Sequence, residues 1–231
     1  MDFFEVIEKR RSIRRFTETV FPDDKIKQAI DAAILAPNSS NTQTWDFFWI
    51  KTPAIRDKVV EACLSQSAAR TATQLVVFTS NRKHWKRSQR PLMKYLESVN
   101  APKQVQDYYK KLIPLTYRAG LFSVFAPLKW ILANGIGLFR PMLRGPYSNR
   151  DIQEVATKSS ALAAENFVLA ITALGGASCM MEGFDESRLK AILKLSSSTK
   201  ITMVIGIGYE AELGTWGPRF RIPTEDVLHI V

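Results

Sequence analysis

Three separated segments of this chain carry residues better suited to holding an anionic, hydrogen-bonding ligand than to folding. The first, Arg10-Arg11-Ser12-Ile13-Arg14, crowds like charges at the end of an N-terminal helix. Such charges repel one another unless an anion neutralises them, and the guanidinium fork matches phosphate geometry. The second, Pro37-Asn38-Ser39-Ser40-Asn41-Thr42-Gln43-Thr44, offers small hydroxyls and amides to the polar edge of a ligand. The third, Pro218-Arg219-Phe220-Arg221-Ile222-Pro223, is extended, so alternation puts Arg219 and Arg221 on one side as a second cationic fork. Each has a plainer reading too: a solvated basic turn, a capping loop and a solvated tail.

The elements that must position these segments follow from periodicity and punctuation. Asp2 is a good N-cap for a short helix carrying Phe3, Phe4 and Ile7 to about Arg10. Pro22-Asp23-Asp24 opens a second helix with Ile26, Ile30, Ala33 and Ile34 on one stripe, which stops before Pro37. A strand follows from about Trp45 to Lys51, a helix begins at Pro53, and Leu75 to Thr79 reads as a buried strand. From Asp151 to about Leu174 runs a long helix, apolar nearly all round in its second half. That composition predicts burial nearly all round, in a central helix or a dimer seam. A helix near Glu186 to Leu195 and a buried strand from Lys200 to Gly208 complete the pattern. Interleaved strands and helices, with helices in excess, indicate α+β: a central mixed or antiparallel sheet covered by helices. Gly206 and Gly208 lie inside a strand, not at a strand-to-helix turn, so a dinucleotide-binding fingerprint is disfavoured.

At 231 residues and 46% hydrophobic composition, the chain can bury a core without disulfide or metal staples. Its two cysteines, Cys63 and Cys179, and two histidines, His84 and His229, are too few at these spacings for a disulfide framework or a zinc site. Two buried thiols and no metal are expected. The net charge of +10 favours phosphorylated ligands, anionic lipid or nucleic acid. No helix-turn-helix, RRM-type or zinc-finger pattern accompanies the basic residues, so nucleic acid is not an expected partner. The first residues, Met1 to Glu5, lack a signal-peptide pattern, and cytoplasmic residence is the default expectation.

Taken together, the motifs resemble those of the FMN-dependent nitroreductases. Arg-Arg-Ser-Ile-Arg-x-Phe near the start is followed by Ala-Pro-x-Ser-x-Asn-x-Gln-x-Trp, then Glu-Gly-Phe-Asp after the Ala-rich helix, then Arg-x-Arg-x-Pro. The resemblance spans nearly the whole chain except roughly residues 83–148, and implies a single nitroreductase-like domain over 1–231. It implies that Arg10, Arg11, Ser12 and Arg14 reach the FMN phosphate, ribityl chain and pyrimidine edge, and that Arg219 and Arg221 join the phosphate site. It implies that Pro37, Asn38, Ser39, Ser40 and Asn41 come from a partner subunit, so that the active site is shared in a homodimer with the long helix at its seam. Ser40 then also faces the substrate. Met181, Glu182 and Gly183 would lie by the flavin, with Glu182 and Gly183 at its reactive N5 edge. Asn38 and Thr44 stand where the family usually has Ser and Pro. The usual Asn and Lys before the second strand are missing, leaving Gln66 or Arg70 for the pyrimidine edge.

The implied activity is oxidation of NAD(P)H and reduction of a nitroaromatic, quinone or similar flat acceptor by a two-step hydride shuttle. Dehalogenation, flavin destruction or dehydrogenation on the same scaffold are the rival reactions. A non-catalytic, membrane-associated flavin-binding protein is the rival from another class. Residues 84–150 are long for the family and hold six of the eleven prolines, so no single long helix fills them. The stretch 119–139 is almost wholly apolar but interrupted by Pro127, Lys129 and Asn134. Three readings stay open for this insertion: a lid and dimer arm, an interfacial membrane patch over 119–144, and a transmembrane helix. Phe122 and Phe125 are its candidate substrate contacts. A membrane patch would put the protein on the inner face of the membrane.

Overall fold

The computed structural model describes residues 1–231, the side chain of Leu121 excepted. Its sheet is made from the chain's most apolar short runs. Strands β1 (Trp45–Trp49), β2 (Gln74–Asn81), β3 (Ala177–Met181) and β4 (Thr199–Gly208) lie in the order β1-β2-β4-β3. All three pairings are antiparallel, which resolves the mixed-or-antiparallel expectation. Period-2 alternation splits the side chains between two cores. Val76, Phe78, Met203, Ile205 and Ile207 pack on one face, and Leu75, Val77, Ile201 and Val204 on the other.

Helices cover both faces. On the first lie α2 (Asp23–Ile34) and α9 (Asn149–Ala173), whose Phe167 meets Phe78 edge-on at 5.2 Å between ring centroids. On the second lie α3 (Pro53–Ala62), α4 (Ser67–Thr71) and α10 (Glu186–Ile192). Gly206 has a packing role here: a Cβ on it would sit 2.9 Å from the Ala68 carbonyl oxygen, so the missing side chain lets α4 lie against β4. Cys63 and Cys179 are buried free thiols, and burial pushes that of Cys63 up to about 11. The long helix corrects one expectation. It buries the stripe facing the sheet and α2, but Leu162 on its other side is 47% exposed.

The N-terminal helix α1 (Phe3–Lys9) ends at the first basic segment, and its Asp2 and Glu5 form a reciprocal capping box. The middle of the chain folds into α5 (Trp85–Ser98), α6 (Lys103–Asp107), a π-turn at Tyr108–Leu112, α7 (Ile113–Tyr117) and α8 (Ala126–Gly137). α5 continues through Pro91 and buries Trp85 and Leu96, and, as the prolines implied, no single helix fills the insertion. The transmembrane reading is overturned: among the described residues no helix is long and apolar enough to cross a membrane. α8 has 12 residues, about 18 Å of helix against a hydrocarbon core of about 30 Å.

The insertion rejoins the core at a second capping box, where Ser148 accepts from Asp151 N–H and the Asp151 carboxylate accepts from Tyr147 and Ser148 N–H, each at 2.9 Å. Those two backbone donors hold the Asp151 carboxyl below its ordinary value of 3.8. A depressed folded-state value means stabilisation that is complete above the unfolded value and lost as pH falls through the folded one. Ser148→Ala is expected to cost about 1 kcal/mol in urea unfolding at neutral pH. Asp151→Asn should cost a similar amount at neutral pH and progressively less as the medium is acidified below 3.8.

Candidate functional site

The two ends of the chain meet. Residues 11–17 are threaded between the open edge of β3 and the segment that follows β4. Ile13 N–H donates to Ser178 O at 2.9 Å on one side; Arg14 N–H donates to Gly214 O and Thr17 N–H to Tyr209 O on the other. Gly208, at the end of β4, leaves room for Phe16, whose ring would lie 3.0 Å from an added Cβ. Side chains then clasp reciprocally. Arg11 donates to the Gly217 carbonyl at 2.6 Å. Arg219 donates back to the carbonyls of Ile7, Glu8 and Arg10, the unsatisfied C-terminal end of α1. Arg14 lies over the Trp216 ring at 4.4 Å.

The result is a cavity of about 230 Å³ lined by Arg10, Arg11, Ser12, Arg14, Thr215, Trp216, Gly217, Pro218, Arg219, Phe220 and Arg221. Five guanidiniums face it and no carboxylate does. Arg10 Nε is buried without a hydrogen-bond partner, its nearest carboxylate oxygen being that of Glu165 at 3.9 Å. Arg221 spends one N–H on the carbonyl of its neighbour Phe220, at 2.7 Å. A cavity so lined calls for an anion with several acceptor oxygens. The donor set therefore fits the phosphate of the expected cofactor.

The same strand edge carries the other half of the expected flavin contacts. Ser12 pairs with Ser178 near the start of β3, and Gly183 lies five residues further along, a span of roughly 16 Å of extended chain. Gln66, at the turn into α4, donates to the Gly183 carbonyl at 2.9 Å and to the Cys63 carbonyl at 3.1 Å. Gln66 thus sits beside Gly183, whereas Arg70 is exposed and offers its own carbonyl to Arg56. Met181 is buried, and Glu182 and Gly183 are exposed. A Cβ on Gly183 would meet nothing closer than the Gln66 amide at 3.8 Å, so this backbone is open to a flat group.

The Ser/Asn loop lies elsewhere. Residues Ser40, Asn41 and Gln43 all have positive φ, a costly conformation for non-glycine residues that the surroundings must hold. Ser159 of α9 accepts from Ser39 N–H, and the Asn38 carbonyl oxygen of the side chain accepts from Gln43 N–H. From the insertion, Tyr117 donates to Ser39 Oγ at 2.9 Å and Tyr108 shares a 2.7 Å hydrogen bond with Ser40 Oγ. Ser39, Ser40, both tyrosines, Arg144 and Tyr147 line a cavity of about 470 Å³ that shares no residue with the arginine cavity. Pro37 is exposed at the end of α2. Phe122 and Phe125 join neither group: Phe122 borders a third cavity, beside Trp85 and Arg118, and Phe125 packs near Gly120.

Tyr108, Tyr117 and Trp216 were not legible as site residues. Tyr108 and Tyr117 belong to an insertion whose placement no local pattern reveals. Trp216 did have a signal, an aromatic ring in the Gly214-Thr215-Trp216-Gly217-Pro218 turn directly before the Arg-x-Arg segment.

Comparison with known proteins agrees with this geometry. The chain is 26% identical over 217 residues to protein DrgA of Synechocystis, covering 92% of this chain and 86% of that one. It is 26% identical over 223 residues to an NADH dehydrogenase of Thermus thermophilus, covering 95% and 91%. A solved chain from Exiguobacterium sibiricum, in complex with FMN, superposes with a TM-score of 0.72 at 18% identity, covering 100% and 98%. The model of the nitroreductase family matches residues 7–209, and the chain belongs to that family.

Proposed function

We propose that this oxidoreductase holds FMN along the open edge of β3 and uses NAD(P)H to reduce a flat, electron-poor acceptor such as a quinone or nitroaromatic. The observation that carries the reading is the single cavity in which five guanidiniums from opposite ends of the chain converge without a carboxylate. Bound FMN would supply the hydride chemistry itself. The chain binds, orients and shields. Arg10, Arg11, Ser12, Arg14, Arg219 and Arg221 hold the phosphate end; Gly183 offers an open backbone to the ring, and Gln66 fixes that backbone through its carbonyl. That division of labour accounts for a site in which no acid pair or nucleophile is needed. The FMN complex of the Exiguobacterium relative and the name of the Thermus relative support the same cofactor and donor.

The acceptor pocket belongs, on this reading, to a homodimer. Within one chain the Pro37–Asn41 loop and the arginine cavity share no lining residue, which fits a site that a second copy completes. The exposed Leu162 of α9 and the exposed tail, with Phe220, Ile222 and Ile230 unpacked on their own chain, supply apolar surface for that contact. Tyr108 and Tyr117 tie the insertion to Ser40 and Ser39, which favours its role as a lid carrying the loop. Tyr147, whose hydroxyl is buried without a partner beside that cavity, is a donor free to meet an acceptor oxygen.

The purified protein should be yellow, release FMN on denaturation and oxidise NADH or NADPH in the presence of quinones or nitroaromatics. Colourless protein that ignores added FMN would contradict the reading. Two arginines separate ligand holding from fold holding. Arg221→Ala should weaken FMN binding about tenfold to a hundredfold while leaving the thermal midpoint nearly unchanged, because its only bond is to the adjacent carbonyl. Arg219→Ala should do both, since it also caps α1. Flavin fluorescence titration and thermal melts of the apoprotein measure the two effects, and full FMN affinity in Arg221→Ala would remove that residue from the phosphate site.

A further inference from the structure

Residues 108–150 contain seven basic side chains and no aspartate or glutamate. Among the described residues only Lys111 of the seven has a carboxylate within 4 Å, that of Asp107 at 3.0 Å. The same segment exposes an apolar surface: Phe122 is 93% exposed and Phe139 90%, and Leu128, Trp130 and Ile131 of α8 are also exposed. Lys129, the one charge in α8, does not interrupt that surface. It turns inward and donates to the Thr116 carbonyl at 2.9 Å, on the same side as buried Ala133. Beneath Phe122 lies a cavity of about 830 Å³ walled by Arg82, Lys83, Lys86, Arg118 and Arg150, again without a carboxylate. Arg82 Nε is buried there without a partner.

An apolar surface flanked by unpaired cations has few suitable partners. A second copy seated with this face on the two-fold axis would set the same cations against one another, with no acid in the segment to meet them. A bilayer with anionic lipids offers acyl chains to the apolar residues and phosphates to the guanidiniums. α8 is too short to cross the membrane, but it leaves Leu128, Trp130, Ile131 and Leu132 exposed, an apolar surface that can enter a bilayer from one side. We infer that the outer face of the insertion docks on an anionic lipid surface, α8 and Phe122 at the acyl boundary and Arg118 and Arg140 on headgroup phosphates. The inner face meanwhile keeps Tyr108 and Tyr117 on the Ser39–Ser40 loop.

Co-sedimentation of the full chain with vesicles tests this. The protein should sediment with phosphatidylcholine vesicles containing one-third phosphatidylglycerol, and not with phosphatidylcholine alone. Arg118→Gln with Arg140→Gln should lower the partition about thirtyfold, and Ile131→Ser at least about tenfold. Circular dichroism of these exposed-site variants verifies that they fold. No sedimentation with the anionic vesicles, or an unchanged partition in both variants, overturns the inference. So does lipid-free sedimentation velocity in which Ile131→Ser dissociates the protein, because the face would then be covered by a second copy.

Discussion

Everything at this site depends on two chain ends, about two hundred residues apart in sequence, being clasped by arginines that reach in both directions. Two like charges 4 Å apart repel by about 1 kcal/mol in water and about 4 kcal/mol near a protein surface. Five guanidiniums around one cavity therefore oppose the fold unless something offsets them. Part of the offset is built in: Arg11 and Arg219 spend donors on carbonyls of the opposite end, and Arg14 lies on Trp216. Each charge-assisted bond contributes at most about 1.5–3 kcal/mol, and less where water competes. The remaining donors are left facing the cavity, so completing the electrostatic balance falls to a bound anion. On the proposed reading, ligand holding and end-to-end closure are one interaction.

The sheet explains why that interaction can be placed so far from the loop that completes the site. β3 is an edge strand, and its open side accepts the N-terminal segment near Ser178 and presents Gly183 further on. The other sheet face is taken by α2 and α9, whose connecting loops carry Asn38–Asn41 to a different part of the surface. On the proposed reading one chain holds two half-sites, and the insertion is fastened to the second of them through Tyr108, Tyr117, Ser88 and Arg87.

Much of this was legible in the sequence because its signals are local. Asp2, Pro22 and Pro53 marked helix starts, and the β2 and β4 runs are apolar on both faces, as strands covered on both sides must be. The basic segments were legible because crowded arginines repel one another; that Arg11 and Arg219 also fasten the chain ends was not. What was missed is short or non-local. β3 is five residues, Ala-Ser-Cys-Met-Met, with small and flexible side chains that give no β-branched signal, and α4 is a single turn and a half of small polar residues. The prolines of the insertion did exclude one long helix, but not where its pieces begin and end: α5 runs through Pro91 with Trp85, Ser88 and Leu96 buried on either side of it. The exposure of Leu162 could not be read from composition, since an apolar run does not say which of its sides the sheet and α2 cover.

The most direct test of the clasp as an anion site compares FMN with riboflavin, which carries the same ring and no phosphate. Apoprotein titrated with each, at low and at raised salt, should bind FMN at least about a hundredfold more tightly, with the advantage shrinking as salt screens it. Equal affinities for the two flavins, insensitive to salt, would mean that the arginines hold only the chain ends together and that the phosphate contributes nothing to binding.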